Sequence, residues 1–249
     1  MASTLSVAAR AAIVVTLGGM APGCYSTYAP PLQGAHGGAP ARVSEGDLAV
    51  GAAATGTRLP SIGGPSLSYG VRDWVAVEAG GNFSRGAWGM GWVGPRFTHA
   101  PRRYAKNYFA TDLHVAGGAG WGGERCGNPD SQSSSAPTRN DCLSVDGRSS
   151  FDRVAGGGAF GLGIAGHFSF FSVYGRVRSQ LTAATNVPAT YWGSGGAGVQ
   201  FRIARSVDLY AQGTAGGYAN RYDDARFYLY ELGVAVRFST RNWRLGSGR

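Results

Sequence analysis

Two groups of residues in this 249-residue chain have the types and spacing for hydrolytic chemistry. His167 precedes Ser169 by two positions, and an imidazole within reach of a serine hydroxyl can remove its proton and create a nucleophile. No obvious acid stands nearby to orient the imidazole, so a turn residue is the simpler interpretation. Asp223 and Asp224 are adjacent and could serve a protease, but a solvated hairpin tip explains them more simply. We predict that the chain is not an enzyme.

The three cysteines, Cys24, Cys126 and Cys142, are the other reactive side chains. A metal site would need histidine or further cysteine at ligand spacing, and none is near, so we predict no metal and no other cofactor. An odd cysteine count in an exported protein leaves one residue over. If Cys24 is used otherwise, Cys126 and Cys142 remain to form a disulfide in an oxidising compartment.

The N-terminal residues have the pattern of an export signal. Arg10 precedes a short apolar run and a zone of small residues, which predicts a signal peptide over residues 1 to 23. Gly23-Cys24 resembles the lipobox of bacterial lipoproteins, which implies cleavage before Cys24 and lipidation of that cysteine. Ordinary cleavage with a free or paired Cys24 is the alternative.

The composition excludes several classes of protein. A hydrophobic content of 43% is too high for a disordered chain. No run of about 18 apolar residues follows the N-terminus, so no transmembrane helix is expected. The net charge of +9 comes from arginines that are scattered and not clustered, which argues against a nucleic-acid partner.

The alternation of apolar and polar side chains predicts β-strands, which are the elements that must position these residues. In the stretch from 228 to 238, one strand face is apolar and continuous, and the other combines small residues with Glu231 and Arg237. Lipid outside and a polar interior produce this pattern. Similar segments cover residues 46 to 56, 65 to 71, 74 to 83, 87 to 98, 106 to 121, 152 to 166, 170 to 182, 191 to 204, 207 to 218 and 227 to 238.

This repetition predicts an all-β fold, a transmembrane antiparallel up-and-down β-barrel of about ten strands over residues 46 to 238, with eight or twelve as alternatives. Residues 24 to 45, rich in proline, glycine and alanine, are predicted to be a periplasmic linker, and residues 239 to 249 a C-terminal tail. An even strand number with short turns on one side predicts that both termini are periplasmic.

An arginine facing lipid at hydrocarbon depth costs about 2–4 kcal/mol, so charges within the strands are expected to face the lumen. They should pair with each other or with trapped water, giving a lumen filled by side chains. Aromatics at strand ends, among them Trp74, Phe83, Trp88, Trp92, Trp121, Tyr191 and Tyr218, suit interfacial girdles, whereas Trp192 is predicted to fill the lumen. The predicted lumen charge network is Glu78, Asp112, Arg153, Arg176, Arg178, Arg202, Asp208, Glu231 and Arg237.

Residues 46 to 238 resemble the small bacterial outer-membrane barrels of the OmpA, OmpX and OmpW types, and Phe238 is similar to the terminal aromatic that the barrel assembly machinery reads. The resemblance implies a monomer in the Gram-negative outer membrane, contacting its lipid and that machinery, with a structural, adhesive or ligand-binding role. A porin-like narrow channel for small, hydrophobic molecules is one alternative. His167-Phe168-Ser169 resembles the His-x-Ser pair of outer-membrane phospholipases and lipid A deacylases, which implies a barrel lipid hydrolase as another.

Overall fold

The computed structural model of the protein describes residues 29–56, 62–84, 88–101, 107–122, 153–185, 187–204, 206–221 and 224–239. The predicted signal peptide, Cys24 and the cysteines Cys126 and Cys142 lie outside these residues. Within them, no helix has the length and apolar character needed to cross a membrane.

Ten β-strands make up the regular structure of the described residues, and each matches a predicted segment with ends shifted by a few residues. They are β1 (Asp47–Gly56), β2 (Ile62–Arg72), β3 (Val75–Ser84), β4 (Trp88–His99), β5 (Tyr108–Gly122), β6 (Arg153–His167), β7 (Phe171–Ala184), β8 (Val187–Ala204), β9 (Val207–Ala219) and β10 (Asp224–Ser239).

Every strand pairs antiparallel with the next, and β1 pairs with β10 to close the ring. The closing register runs from Asp47 opposite Ser239 to Gly56 opposite Tyr230. A closed sheet leaves no edge of unpaired backbone groups, which is the condition for a sheet in hydrocarbon. The predicted closed, ten-stranded, up-and-down barrel is therefore confirmed.

The barrel has two distinct ends. We call the end that carries Asp47, Asp73, Phe168, Ser206 and Ser239 the turn end, because tight connections join the strands there. The opposite end, where the chain between β5 and β6 spans residues 123 to 152, is called the loop end.

Side chains alternate between the outer surface and the lumen, as the period of two predicts. On β10, Tyr230 is 75% exposed and Leu232 is 65% exposed. The alternate residues Leu229 and Glu231 are buried. Trp74, Phe83, Trp121 and Tyr191 are exposed on the outside, and Trp192 lies in the lumen as predicted. The girdle assignment is wrong for Trp88, Trp92 and Tyr218, which share the phase of lumen-facing neighbours such as Met90.

The predicted periplasmic linker is corrected by the structure, because its residues 29 to 44 run through the lumen. We call this segment the plug. Ala29, Leu32, Gln33, His36 and Ala39 are all buried within it. A stretch rich in proline and glycine reads as a linker because it lacks periodicity. The same composition suits an extended chain whose backbone groups bond to the wall of a narrow polar interior.

Candidate functional site in the barrel lumen

Side chains of β7 bind the backbone of the plug at four lumen-facing positions, 176, 178, 180 and 182. The Gln180 amide donates to the Gln33 carbonyl at 2.9 Å and accepts from the Gln33 N–H at 2.8 Å. Arg178 donates to the carbonyl of Ala35 at 2.6 Å, and Arg176 donates from Nε to the carbonyl of Gly38 at 2.8 Å. Buried backbone groups need partners, and here one strand supplies them in sequence order.

The plug is extended and runs opposite to β7. Ala29 lies beside Thr182, whose hydroxyl donates to the Ala29 carbonyl at 3.4 Å. Pro40 lies beside His167, which is paired with Ser172. Eleven steps of an extended, proline-compatible chain cover about 34 Å. The ten steps of strand from Thr182 to Ser172 cover about 33 Å, so almost no slack remains.

Glu231 on β10 binds two consecutive amides of the plug. Its carboxylate accepts from the N–H of His36 at 2.8 Å and from the N–H of Gly37 at 2.9 Å. Gly37 has φ +77°, a left-handed conformation that turns adjacent N–H groups toward one anion and that favours glycine. Gln200 on β8 continues the contact by accepting from the N–H of Ala39 at 2.8 Å.

A leucine fixes the plug near the loop end. Leu32 has no exposed surface and packs into an apolar cluster with Trp88, Met90, Ala116 and Ala155 of the wall. The space exists because Gly118 has no side chain, since a Cβ there would lie 2.8 Å from the Leu32 methyl. The plug is therefore held by apolar packing at one end and by hydrogen bonds along its length.

Leu32→Ala should lower the free energy of unfolding by about 2–5 kcal/mol, because truncating a fully buried leucine loses its transfer free energy and leaves a cavity. Urea unfolding in lipid vesicles, followed by tryptophan fluorescence, measures the change. The matched control is Leu181→Ala on the outer face of β7, where the side chain is 58% exposed. Equal losses from the two variants would show that Leu32 is not a packing anchor.

Ion pairs join the wall strands to each other at mid-barrel, and one of their arginines also bonds to the plug. Arg96 on β4 contacts Glu78 at 2.7 Å and Asp112 at 2.7 Å. Arg176 contacts the same Asp112 oxygen at 2.9 Å while it donates to the plug carbonyl of Gly38. Glu78 also accepts from the Ser68 hydroxyl at 2.6 Å. These side chains are 12% exposed or less, so each charge depends on its partners.

A second group of ion pairs lies near the turn end. Asp208 on β9 contacts Arg237 at 2.6 Å and Arg202 at 3.5 Å. The plug is fixed here as well, through an ion pair between Arg42 and Asp73. The carbonyl of Ser44 then accepts from the N–H of Asp47 at 2.9 Å, where the plug passes into β1.

The structure divides the predicted lumen network into three roles. Glu78, Asp112 and Arg176 form the mid-barrel cluster, and Arg202, Asp208 and Arg237 form the cluster near the turn end. Arg178 and Glu231, expected to pair with other charges, bind plug backbone groups instead. Arg153 is the first residue of β6, and its side chain lies outside the described part of the structure.

Phe238 lies opposite Leu48 in the closing register, and its proposed role as an assembly signal stays a prediction. The lipidation of Cys24 and the disulfide between Cys126 and Cys142 also stay predictions.

His167 and Ser169 are not brought together by hydrogen bonding. His167 is the last residue of β6 and not a turn residue, and it is buried. Its Nδ1 lies 2.7 Å from the Ser172 hydroxyl and its Nε2 lies 2.6 Å from the Pro40 carbonyl oxygen. Ser169 is exposed in the following turn. His167 therefore has both ring nitrogens occupied by Ser172 and the plug.

The plug leaves a cavity of about 140 Å³ on the side of β1, β2 and β3. Its lining includes the side chains of Gln33 and Asn82, and each has a buried polar atom with no protein partner. This polar space is large enough to hold several water molecules. The described residues contain no group of three or more His, Cys, Asp or Glu that could hold a metal ion.

Two features of the site were missed by sequence reasoning. Arg96 could have been found, because it lies in phase with the lumen-facing Thr98 and an arginine at this depth must avoid lipid. The plug had only an indirect signal. Gln200 and Gln212 lie in the lumen-facing phase of their strands and have no obvious partner in the sequence, and buried polar groups must be hydrogen-bonded.

No protein-family model and no curated protein matches the chain. Among solved structures, it is similar to the N-terminal β-barrel domain of Pseudomonas aeruginosa OprF, with 11% identity, 78% of this chain and 98% of that chain covered, and a TM-score of 0.35. The KdgM porin is 7% identical, and the match covers 76% of this chain and 99% of the porin, with a TM-score of 0.39. Ail, the attachment invasion locus protein of Yersinia pestis, is 12% identical. That match covers 78% of this chain and 99% of Ail, with a TM-score of 0.24. The likeness concerns the barrel fold alone.

Proposed function

We propose that this protein is a bacterial outer-membrane barrel that is closed to solutes by its own N-terminal plug and has a structural or binding role without catalysis. The observation that carries the proposal is the plug itself. Residues 29 to 44 occupy the lumen from end to end and bond to side chains of β6, β7, β8 and β10.

The outer surface supports a membrane location. Large apolar side chains are exposed along the strands, where a soluble protein would place polar residues. Lipid provides the environment in which this surface is stable. Examples from successive strands are Val50, Leu67, Val77, Val93, Val115, Leu162, Val177, Val199, Leu209 and Leu232. We propose that the protein contacts outer-membrane lipid and the barrel assembly machinery, and that it is a monomer.

The contents of the lumen support the proposal that the barrel is closed to solutes. A ring of ten strands encloses a narrow interior, since the wide channels of porins appear at about 16 strands. The plug fills most of the remaining interior, and the cavity beside it is about 140 Å³. This arrangement does not favour a route for solutes, and the location of His167 between Ser172 and Pro40 does not favour hydrolysis.

Purified wild-type protein in planar lipid bilayers should therefore show no sustained single-channel current. A folded sample is required, and heat-modifiable migration on gels verifies it. Steady, porin-sized steps from folded wild-type protein would contradict the closed lumen and favour the channel alternative.

A further inference from the structure

The direction of the plug is fixed by the order of its contacts. Strand β7 runs from Phe171 at the turn end to Ala184 at the loop end. Ala29 contacts Thr182, whereas Pro40 contacts His167 beside Ser172. As the plug is followed along the chain, its partners therefore move steadily from the loop end to the turn end.

Both ends of the plug are attached to the wall. At the loop end, the N–H of Ala29 donates to the Thr190 hydroxyl at 3.0 Å, and Ala29 has no exposed surface. At the turn end, Arg42 pairs with Asp73, and the N–H of Gly46 donates to the Gly70 carbonyl at 2.7 Å. The orientation is thus set by specific contacts at two positions that lie a full barrel length apart.

The plug occupies the lumen as a single pass. The cavity beside it is about 140 Å³. Followed along the chain, the plug enters the lumen at Ala29 at the loop end. Ala29 and Ser239 lie at opposite ends, although an even strand number puts Asp47 and Ser239 at the same end.

We infer that the barrel is an anchor that carries its own chain through the membrane and presents the residues before Ala29 on the loop-end side. This inference rests on the proposed function, because it requires a membrane around the barrel. It is an alternative to the expectation that both termini are periplasmic. The chain enters the lumen on the side of the connection from 123 to 152, which in bacterial barrels is the extracellular side.

The contacts that hold the plug are consistent with an anchor. Arg178 donates to a plug carbonyl, and Glu231 accepts from two plug amides. These bonds engage backbone atoms, so the wall holds an extended chain over a full barrel length. The bonds are spread from Ala29 through Gln33 to Gly37, so the plug is held along its length and not at a single point.

Single-cysteine labelling in intact cells tests the inference. The parent chain keeps Cys24 and has Cys126 and Cys142 replaced by serine, and its own labelling is the baseline that is subtracted. Three variants add one thiol each to this parent. Ser26→Cys reports the chain before the plug, Ser133→Cys the loop side, and Ser169→Cys the turn end. A membrane-impermeant maleimide should label Ser26→Cys and Ser133→Cys as completely in intact cells as after the outer membrane is opened. Ser169→Cys should be labelled only after opening.

The possible outcomes separate the inference from the proposed function. If Ser26→Cys is labelled only after opening, like Ser169→Cys, the chain does not pass through the barrel and the inference is overturned, while the barrel remains. If Ser133→Cys and Ser169→Cys behave alike, the protein does not span the membrane, and the proposed function fails together with the inference.

Discussion

A chain that begins at Ser44, refolded into detergent and inserted into planar bilayers, should carry a steady ionic current where the wild-type protein carries none. The plug is the only segment of the described residues that fills the lumen along its length, and its removal leaves a continuous column of polar side chains. Arg178 and Glu231 would lose backbone partners but gain water, so the open barrel should still fold. Single-channel recording at fixed salt and voltage measures the change.

Two controls keep this expectation falsifiable. Heat-modifiable migration shows whether the shortened chain has closed into a barrel. If it has not, Leu32→Asp serves instead, because a charge in the cluster of Trp88 and Met90 should expel the loop end of the plug while all strands remain. A folded, shortened barrel that stays silent would show that wall side chains alone close the lumen.

Arg96→Ala should lower the free energy of unfolding by about 3–5 kcal/mol, the cost of breaking a buried ion pair. Both Glu78 and Asp112 lose a partner at 2.7 Å, and the Asp112 side chain is fully buried. Arg176→Ala should cost less at this cluster, since Asp112 keeps Arg96. Arg96→Lys should fall between wild type and alanine, because an ammonium cannot fork onto two carboxylates.

The matched control for Arg96 is Arg72→Ala at the barrel rim. Arg72 lies 3.9 Å from Glu45, and both side chains are more than half exposed. Such surface pairs contribute about 0–1 kcal/mol. Urea unfolding of both variants in the same vesicles gives the comparison. Similar losses for Arg96 and Arg72 would show that the mid-barrel cluster is hydrated and that its charges do not depend on each other.

The barrel itself could be predicted from the sequence because the pattern of side chains that specifies it is local and is repeated in every strand. Side chains alternate with period two, and lipid penalises charge, so Arg178 and Glu231 had to face inward and Leu232 outward. Glycines on one strand also face large side chains on the neighbouring strand. A Cβ at Gly198 would lie 2.7 Å from the Tyr174 ring, so the small residue makes room for the aromatic one.

The plug could not be predicted in the same way because its partners are far away in the chain. Gln33 bonds to Gln180 across 147 positions, and Gly37 bonds to Glu231 across 194. The plug has no regular side-chain period, since its backbone atoms and not its side chains make most of these bonds. Composition alone does not distinguish a free linker from a chain bound inside a lumen.

The register that closes the ring has a consequence for the order of assembly. Pairing Asp47 with Ser239 joins positions roughly 190 apart, and contacts of such long range form slowly. The plug directly precedes β1, so it is available before the seam between first and last strands can form. Closing that seam encloses the plug, so its bonds to Gln180, Gln200 and Glu231 lie inside the finished ring.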